Sequence, residues 1–156
     1  MSHDTNVAWT LLTDGDVPVV LLSMWCVWLS WIDVVSRRLP NMLTGIGAVC
    51  ILAYSYVIDA FVVALSGAVL LFFCYLAVHL CLPTAFGAGD VKLAFTLGGV
   101  AALAGTDAWV AAALIAPLLT GVVGVACMAV GRASATVPHG PSMCAATLLA
   151  SAAVPT

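Results

Sequence analysis

The sequence contains no glutamate and very little charge of either sign, although it is 156 residues long. Charged residues make up 7% of the chain, whereas they make up about a quarter of a soluble domain. Hydrophobic residues make up 64%, and the mean hydropathy is +1.20. Because so few polar side chains could not cover the surface of a soluble domain, the composition predicts an integral membrane protein with one domain.

Other missing features exclude further classes of protein. The net charge is −3 and there is no basic run, which argues against nucleic-acid binding. The six cysteines include no Cys-x-x-Cys pair and nearly all lie in apolar runs. We interpret them as small hydrophobic side chains and expect no metal site, disulfide framework or cofactor. Residues 1–16 carry aspartates but no lysine or arginine, which is the reverse of the basic start of a signal peptide.

Six apolar segments follow one another, and they predict an all-α membrane bundle of six transmembrane helices. The expected spans cover about residues 17–35, 42–58, 61–82, 91–105, 108–131 and 141–154. Residues 1–16 would form a tail, and residues 17–155 the six-helix membrane domain. The fourth and sixth spans are short, since 15 residues rise only about 22 Å against a hydrocarbon core of about 30 Å. Gly98–Gly99 would loosen the fourth span further.

The placement of the few charges predicts an orientation. Six spans put every lysine and arginine at one side, and both termini, Asp59 and Asp107 at the other. The bases are Arg37, Arg38, Lys92 and Arg132. Because positive residues concentrate in cytoplasmic loops, we expect both termini outside the cytoplasm and the membrane to be the inner one.

Of the seven aspartates, only Asp33 and Asp90 fall on the predicted cytoplasmic side. Each lies where an apolar span meets a polar turn, and ionisable groups at that depth are costly and usually functional. Asp90 ends a Gly-x-Gly-Asp turn whose Gly87 and Gly89 permit positive φ or close approach of another chain segment. Two carboxyl groups in one apolar recess would share a proton and could activate water against a peptide carbonyl. The pair therefore indicates a membrane-embedded aspartic peptidase.

Structural roles for the same residues also stay open. Asp90 could be the N-cap of the fourth helix, and Asp33 could be held by Arg37 one turn later. Lys92, beside the turn, could tune Asp90, hold an anionic lipid or simply reach the membrane surface. Asn41 is expected to cap the second helix.

The residue pattern resembles that of a known family. Phe86-Gly87-Ala88-Gly89-Asp90-Val91-Lys92-Leu93 is similar to the signature of the type IV prepilin peptidases, which are Gly-x-Gly-Asp aspartic peptidases. Asp33 with Arg38-Leu39-Pro40-Asn41 resembles their first motif, and Pro138-His139-Gly140-Pro141 their third, with histidine in place of the usual aromatic residue. Three motifs in this order are far more specific than one.

The resemblance implies a function and a site. Asp33 and Asp90 would be the catalytic pair, with Gly87, Gly89 and Lys92 in the active-site loop. The substrate would be a type IV prepilin or pseudopilin, whose basic leader is cut on the cytoplasmic side after a glycine that precedes the hydrophobic helix. Because the sequence lacks the Cys-x-x-Cys segment of longer members, we expect no N-methyltransferase activity.

Two other functions are compatible with the residues. The chain could be a non-catalytic scaffold or small transporter, with Asp33 and Asp90 as caps or an ion relay. It could also be another Gly-x-Gly-Asp protease that cuts a different class of membrane segment, although it lacks the Tyr-Asp and Pro-Ala-Leu motifs of the presenilin-like branch. The sequence indicates neither the oligomeric state nor the roles of His79 and His139.

Overall fold

The computed structural model describes residues 16–82, 87–131 and 137–153, and these ranges form six α-helices without a strand. The helices are α1 (Asp16–Ser36), α2 (Asn41–Val57), α3 (Phe61–Cys81), α4 (Ala88–Leu103), α5 (Thr106–Ala129) and α6 (Gly140–Ala153). The prediction of an all-α fold with six helices is confirmed. The predicted N-terminal tail, Phe86 and Arg132 lie outside the described residues.

Long and short helices alternate along the chain. Three segments are long and apolar enough to cross a membrane, namely Val17–Ser36, Phe61–Cys81 and Thr106–Ala129, and they mark a membrane protein. Helices α2, α4 and α6 have 17, 16 and 14 residues. At about 1.5 Å per residue they rise roughly 21–26 Å, less than a hydrocarbon core of about 30 Å. The prediction of six full spans is therefore not confirmed.

Three tight connections reverse the chain between consecutive helices. Arg37 leaves α1 with φ 52°, Asp59 turns between α2 and α3 with φ 57°, and Gly105 turns between α4 and α5 with φ 117°. Asp59 lies in the turn after α2, where the amide of Ala60 donates to the Ser55 carbonyl at 2.8 Å. Residues with positive φ end helices because they cannot continue a right-handed turn. Each of these turns therefore ends one helix shortly before the next begins.

Helix α4 lies at the centre of the bundle and packs against α2, α3, α5 and α6. Its residues are buried almost without interruption from Asp90 to Ala101. A Cβ placed on Gly98 would lie 2.6 Å from the Gly67 carbonyl oxygen and 2.7 Å from the Leu71 Cβ. The expectation that Gly98 and Gly99 loosen this helix is wrong at Gly98, since the missing side chain there lets α3 and α4 touch backbone to backbone.

A Gly98→Ala substitution should therefore destabilise the bundle. Alanine normally favours a helix by up to about 1 kcal/mol over glycine, but overpacking against fixed backbone costs about 1–3 kcal/mol. The matched control is Gly121→Ala in α5, where a Cβ would meet no atom within 4 Å. We expect the thermal midpoint in detergent to fall for Gly98→Ala and to stay level or rise for Gly121→Ala. Equal midpoints for the two variants would contradict the close helix contact.

Helix α1 packs on α6 along its inner face. Cys26 and Cys144 are both buried and their thiols are in hydrogen-bonding contact. The tryptophans of α1 divide between two environments. Trp25 turns inward and donates to the Leu43 carbonyl at 3.3 Å, whereas Trp28 and Trp31 are mostly exposed.

Candidate active site

Asp33 lies in the last turn of α1 and is buried, with 6% of its surface exposed. Its Oδ2 accepts a hydrogen bond from the Gly140 amide at 3.1 Å. Gly140 is the first residue of α6, so the carboxyl group faces the end of a helix where partial positive charge accumulates. Burial of an ionisable group is costly without such a partner. The contact therefore fixes one oxygen of Asp33 and stabilises its ionised form.

Asp90 lies in the first turn of α4 and is 8% exposed. Its Oδ2 accepts from the Gly87 amide at 3.0 Å, and its own amide donates to the Gly87 carbonyl at 3.1 Å. The side-chain bond is one half of a capping box, in which the third residue of the helix reaches back to the N-cap, and the backbone bond stands where glycine has no side chain to supply the other half. The alternative that Asp90 is itself the N-cap is wrong, because Gly87 occupies that position.

The two aspartates come from different helices but lie at the same end of the bundle. A Cβ on Gly89 would lie 3.1 Å from the Cβ of Leu39, so the turn after α1 touches the start of α4. The charge of Asp33 acts electrostatically on Asp90. We call this region, formed where α1 and α3 end and α2, α4 and α6 begin, the motif end. It contains Asp33, Asp90 and the described parts of all three sequence motifs.

The glycines of the motif contribute by close contact rather than by unusual backbone angles. Gly87 has φ −77°, and the glycines with positive φ in the described chain are Gly105 and Gly131. Positive φ, which the sequence made possible at Gly87 and Gly89, is therefore not used. Gly89 instead admits the Leu39 side chain beside the helix start.

Lys92 points to the surface of the motif end. It is exposed, and its Nζ donates to Asn41 Oδ1 at 2.7 Å. The prediction that Asn41 caps α2 is wrong, because Pro40 is the N-cap and makes no side-chain capping bond. Asn41 instead ties α2 to α4. Lys92 therefore joins two helices beside the carboxyl groups. The bond is exposed, so it contributes only about 1 kcal/mol or less to stability.

Several polar side chains near the pair were not assigned a role from the sequence. His79, in α3, acts electrostatically on Asp90. The charge of Asp90 in turn acts on Tyr75. The buried His139 lies within hydrogen-bonding distance of Tyr75 and Thr120. Burial lowers the pKa of His139 to about 4, so it is neutral at physiological pH. The sequence did offer one signal for a role of Tyr75, because its phenol lies in an otherwise apolar segment.

Two buried carboxyl groups at one end of the bundle are groups that can exchange protons with water. Both aspartates are buried, each has one oxygen held by a backbone amide, and the charge of Asp33 acts on Asp90. Within the ranges that the structure describes, no group of three His, Cys, Asp or Glu side chains is placed to hold a metal ion. The residues assembled here are those of acid–base chemistry.

Comparison with known proteins identifies the family. The family model for the type IV leader peptidase family matches residues 20–125, which is more than half of the chain and includes Asp33 and Asp90. The loop that precedes α6 lies beyond the matched range. No curated protein and no solved structure gives a significant match. On the family match, the chain belongs to the type IV leader peptidase family, a family of proteases.

Proposed function

We propose that this protein is a membrane-embedded aspartic endopeptidase in which Asp33 and Asp90 form the catalytic pair. The proposal is carried by two buried carboxyl groups that come from separate helices, lie at the same end of the bundle and are each held by a backbone amide. Caps alone would account for Asp90 but not for Asp33, whose amide partner belongs to a helix 107 residues away in the chain.

In this proposal the two carboxyl groups divide one proton between them. The ionised member removes a proton from water while the water oxygen bonds to the peptide carbonyl carbon. The protonated member gives its proton to the carbonyl oxygen, which produces a tetrahedral diol. Collapse of the diol then breaks the carbon–nitrogen bond: the protonated carboxyl group gives its proton to the leaving nitrogen, and the ionised one takes a proton from a diol hydroxyl. The site ends the cycle with the same number of protons as it began.

The family and the charge distribution support a substrate and a side of the membrane. Leader peptidases of type IV pilins cut a short basic leader in front of a hydrophobic helix, so we propose prepilins or pseudopilins as substrates. Arg37, Arg38 and Lys92 lie at the motif end, whereas Asp59 and Asp107 lie at the opposite end. Positive residues favour the cytoplasm. We propose that the motif end faces the cytoplasm, that both termini lie outside it, and that residues 17–155 form the peptidase domain in the inner membrane.

Co-expression with a candidate prepilin tests the proposed function. The substrate carries a basic leader that ends in glycine before its hydrophobic helix. Mass spectrometry should show that the leader is removed after this glycine in membranes that contain the protein, and that it is retained in membranes that lack it. A substrate with valine in place of that glycine is the control and should remain uncut. An intact leader beside a folded, membrane-inserted protein would contradict the proposal, as would cleavage at another bond.

A further inference from the structure

His139 is a buried imidazole that joins three helices at the motif end. It is 4% exposed and stands immediately before α6. Its Nε2 lies 3.1 Å from the Tyr75 hydroxyl of α3, and its Nδ1 lies 2.5 Å from Thr120 Oγ1 of α5. A polar ring in an apolar interior is destabilising unless its nitrogens have partners. Both nitrogens have one here, so the ring is fixed in position and in rotation.

The hydrogen bonds are compatible with one consistent placement of the protons. In this placement the Thr120 hydroxyl donates to the Ala116 carbonyl at 3.2 Å and accepts from His139 Nδ1. The Tyr75 hydroxyl then donates to Nε2 of the neutral ring. The placement corresponds to the Nδ1–H tautomer of the imidazole.

The residue after His139 is the one that supports Asp33. The Gly140 amide donates to Asp33 Oδ2 at 3.1 Å, and the His139 carbonyl accepts from the Met143 amide at 3.1 Å, which closes the first turn of α6. His139 is therefore held at both its ring and its backbone. The peptide unit between it and Gly140 has little freedom left, and that unit carries the amide that Asp33 accepts.

We propose that Tyr75, His139 and Thr120 form a positioning network that aims the Gly140 amide at Asp33 and so sets the orientation of this carboxyl group for peptide cleavage. This inference rests on the proposed function. The charge of Asp90 also acts on Tyr75, so the network is linked electrostatically to the second carboxyl group as well. The network is made of positioning residues that act through Gly140.

The Gly140 amide can be observed directly. His139–Gly140 is the only His-Gly pair in the sequence, so carbonyl-¹³C histidine with ¹⁵N-glycine gives this amide a single selected NMR signal in the full-length protein. We expect Tyr75→Phe and Thr120→Val to move the signal towards its position in Asp33→Ala, which lacks the acceptor. Tyr75→Phe keeps the aromatic ring, which limits any contribution of a ring-current change to the shift.

Kinetics on a prepilin substrate supply the second readout. Both variants should lower kcat about tenfold and leave KM within about twofold, because misplacement of a reacting group affects the chemical step more than substrate binding. The kcat of the double variant should be about the same as that of the more impaired single variant, since both changes release the same loop. Tyr56→Phe, at an exposed tyrosine of α2, is the matched control and should change neither readout.

The outcomes separate the two levels of the proposal. An unmoved Gly140 signal in folded Tyr75→Phe and Thr120→Val would overturn the positioning network, whatever the activity. A moved signal with unchanged kcat would also overturn it, because the network would then serve stability alone. If the wild-type protein cleaves no prepilin, the proposed function fails, and the positioning role in cleavage fails with it. The NMR signal would still report whether the network holds the Gly140 amide against Asp33.

Discussion

Asp33→Asn and Asp90→Asn should each reduce prepilin cleavage by about 1000-fold or more, as expected when a general acid or base is removed. Asparagine has nearly the same shape as aspartate and keeps an oxygen that can accept from Gly140 or Gly87. The amide contacts of both sites can therefore survive, while the ability to take up and release a proton is lost. The measurement is the rate of leader removal by purified variants of matched concentration and thermal stability.

The chain offers matched controls for this experiment. Asp59 and Asp107 are exposed and lie at the other end of the bundle, so Asp59→Asn and Asp107→Asn should cleave like the wild-type protein. Asparagine tolerates the positive φ of Asp59 as well as aspartate does. The Asp33→Asn/Asp90→Asn double variant should be little worse than either single one, because the proposed mechanism needs both carboxyl groups together. Full activity in either single variant would refute the catalytic pair.

Gly140→Ala should reduce cleavage about 100-fold, since small displacements of a reacting group have effects of that size. A Cβ at this position would lie 2.7 Å from Asp33 Oδ2 and 3.2 Å from its Cγ. The side chain of Asp33 would have to move away, and its bond to the Gly140 amide would break. Alanine favours a helix over glycine by up to about 1 kcal/mol, so loss of fold is not the expected cause. Leader cleavage and thermal midpoint should be measured together.

Other glycines give this prediction a graded series. On Gly89 a Cβ would lie 3.1 Å from Leu39, and on Gly87 it would lie 3.5 Å from Asp90 Oδ2, an ordinary contact. We expect cleavage to fall most for Gly140→Ala, less for Gly89→Ala and least for Gly87→Ala. Gly124→Ala, where no atom lies within 4 Å of the added carbon, should have no effect. Wild-type cleavage by Gly140→Ala would show that Asp33 does not depend on this amide.

Much of the fold could be predicted from the sequence, because composition and short motifs indicate the class of protein and its family. The scarcity of charge and the six apolar runs led to an all-helical membrane protein, and the motif order led to the family. The sequence indicated that the fourth and sixth helices are short, and α4 and α6 have 16 and 14 residues. That all six helices cross the membrane is not confirmed, because apolar runs do not reveal which helices reach lipid on both sides.

The support around Asp33 could not be predicted for a different reason. Its amide donor, Gly140, is 107 residues away, and the contact depends on how α1 packs against α6. No local preference encodes such a pairing. Asn41 was misjudged because a cap is the common role of asparagine before a helix, whereas here its side chain pairs with Lys92 of another helix. Local chemistry indicated candidates, and only packing decided their partners.

The enclosure of α4 has a consequence for how the protein meets the bilayer. The other helices, and not lipid tails, surround most of this short segment, so its length need not match the hydrocarbon thickness. The depth of Asp90 is set by contacts such as that of Gly98 with Gly67. A thicker or thinner bilayer would be accommodated first by tilt of the outer helices. The depth of the Asp90 carboxyl group therefore depends little on bilayer thickness, and the protein can keep its site in membranes of different lipid composition.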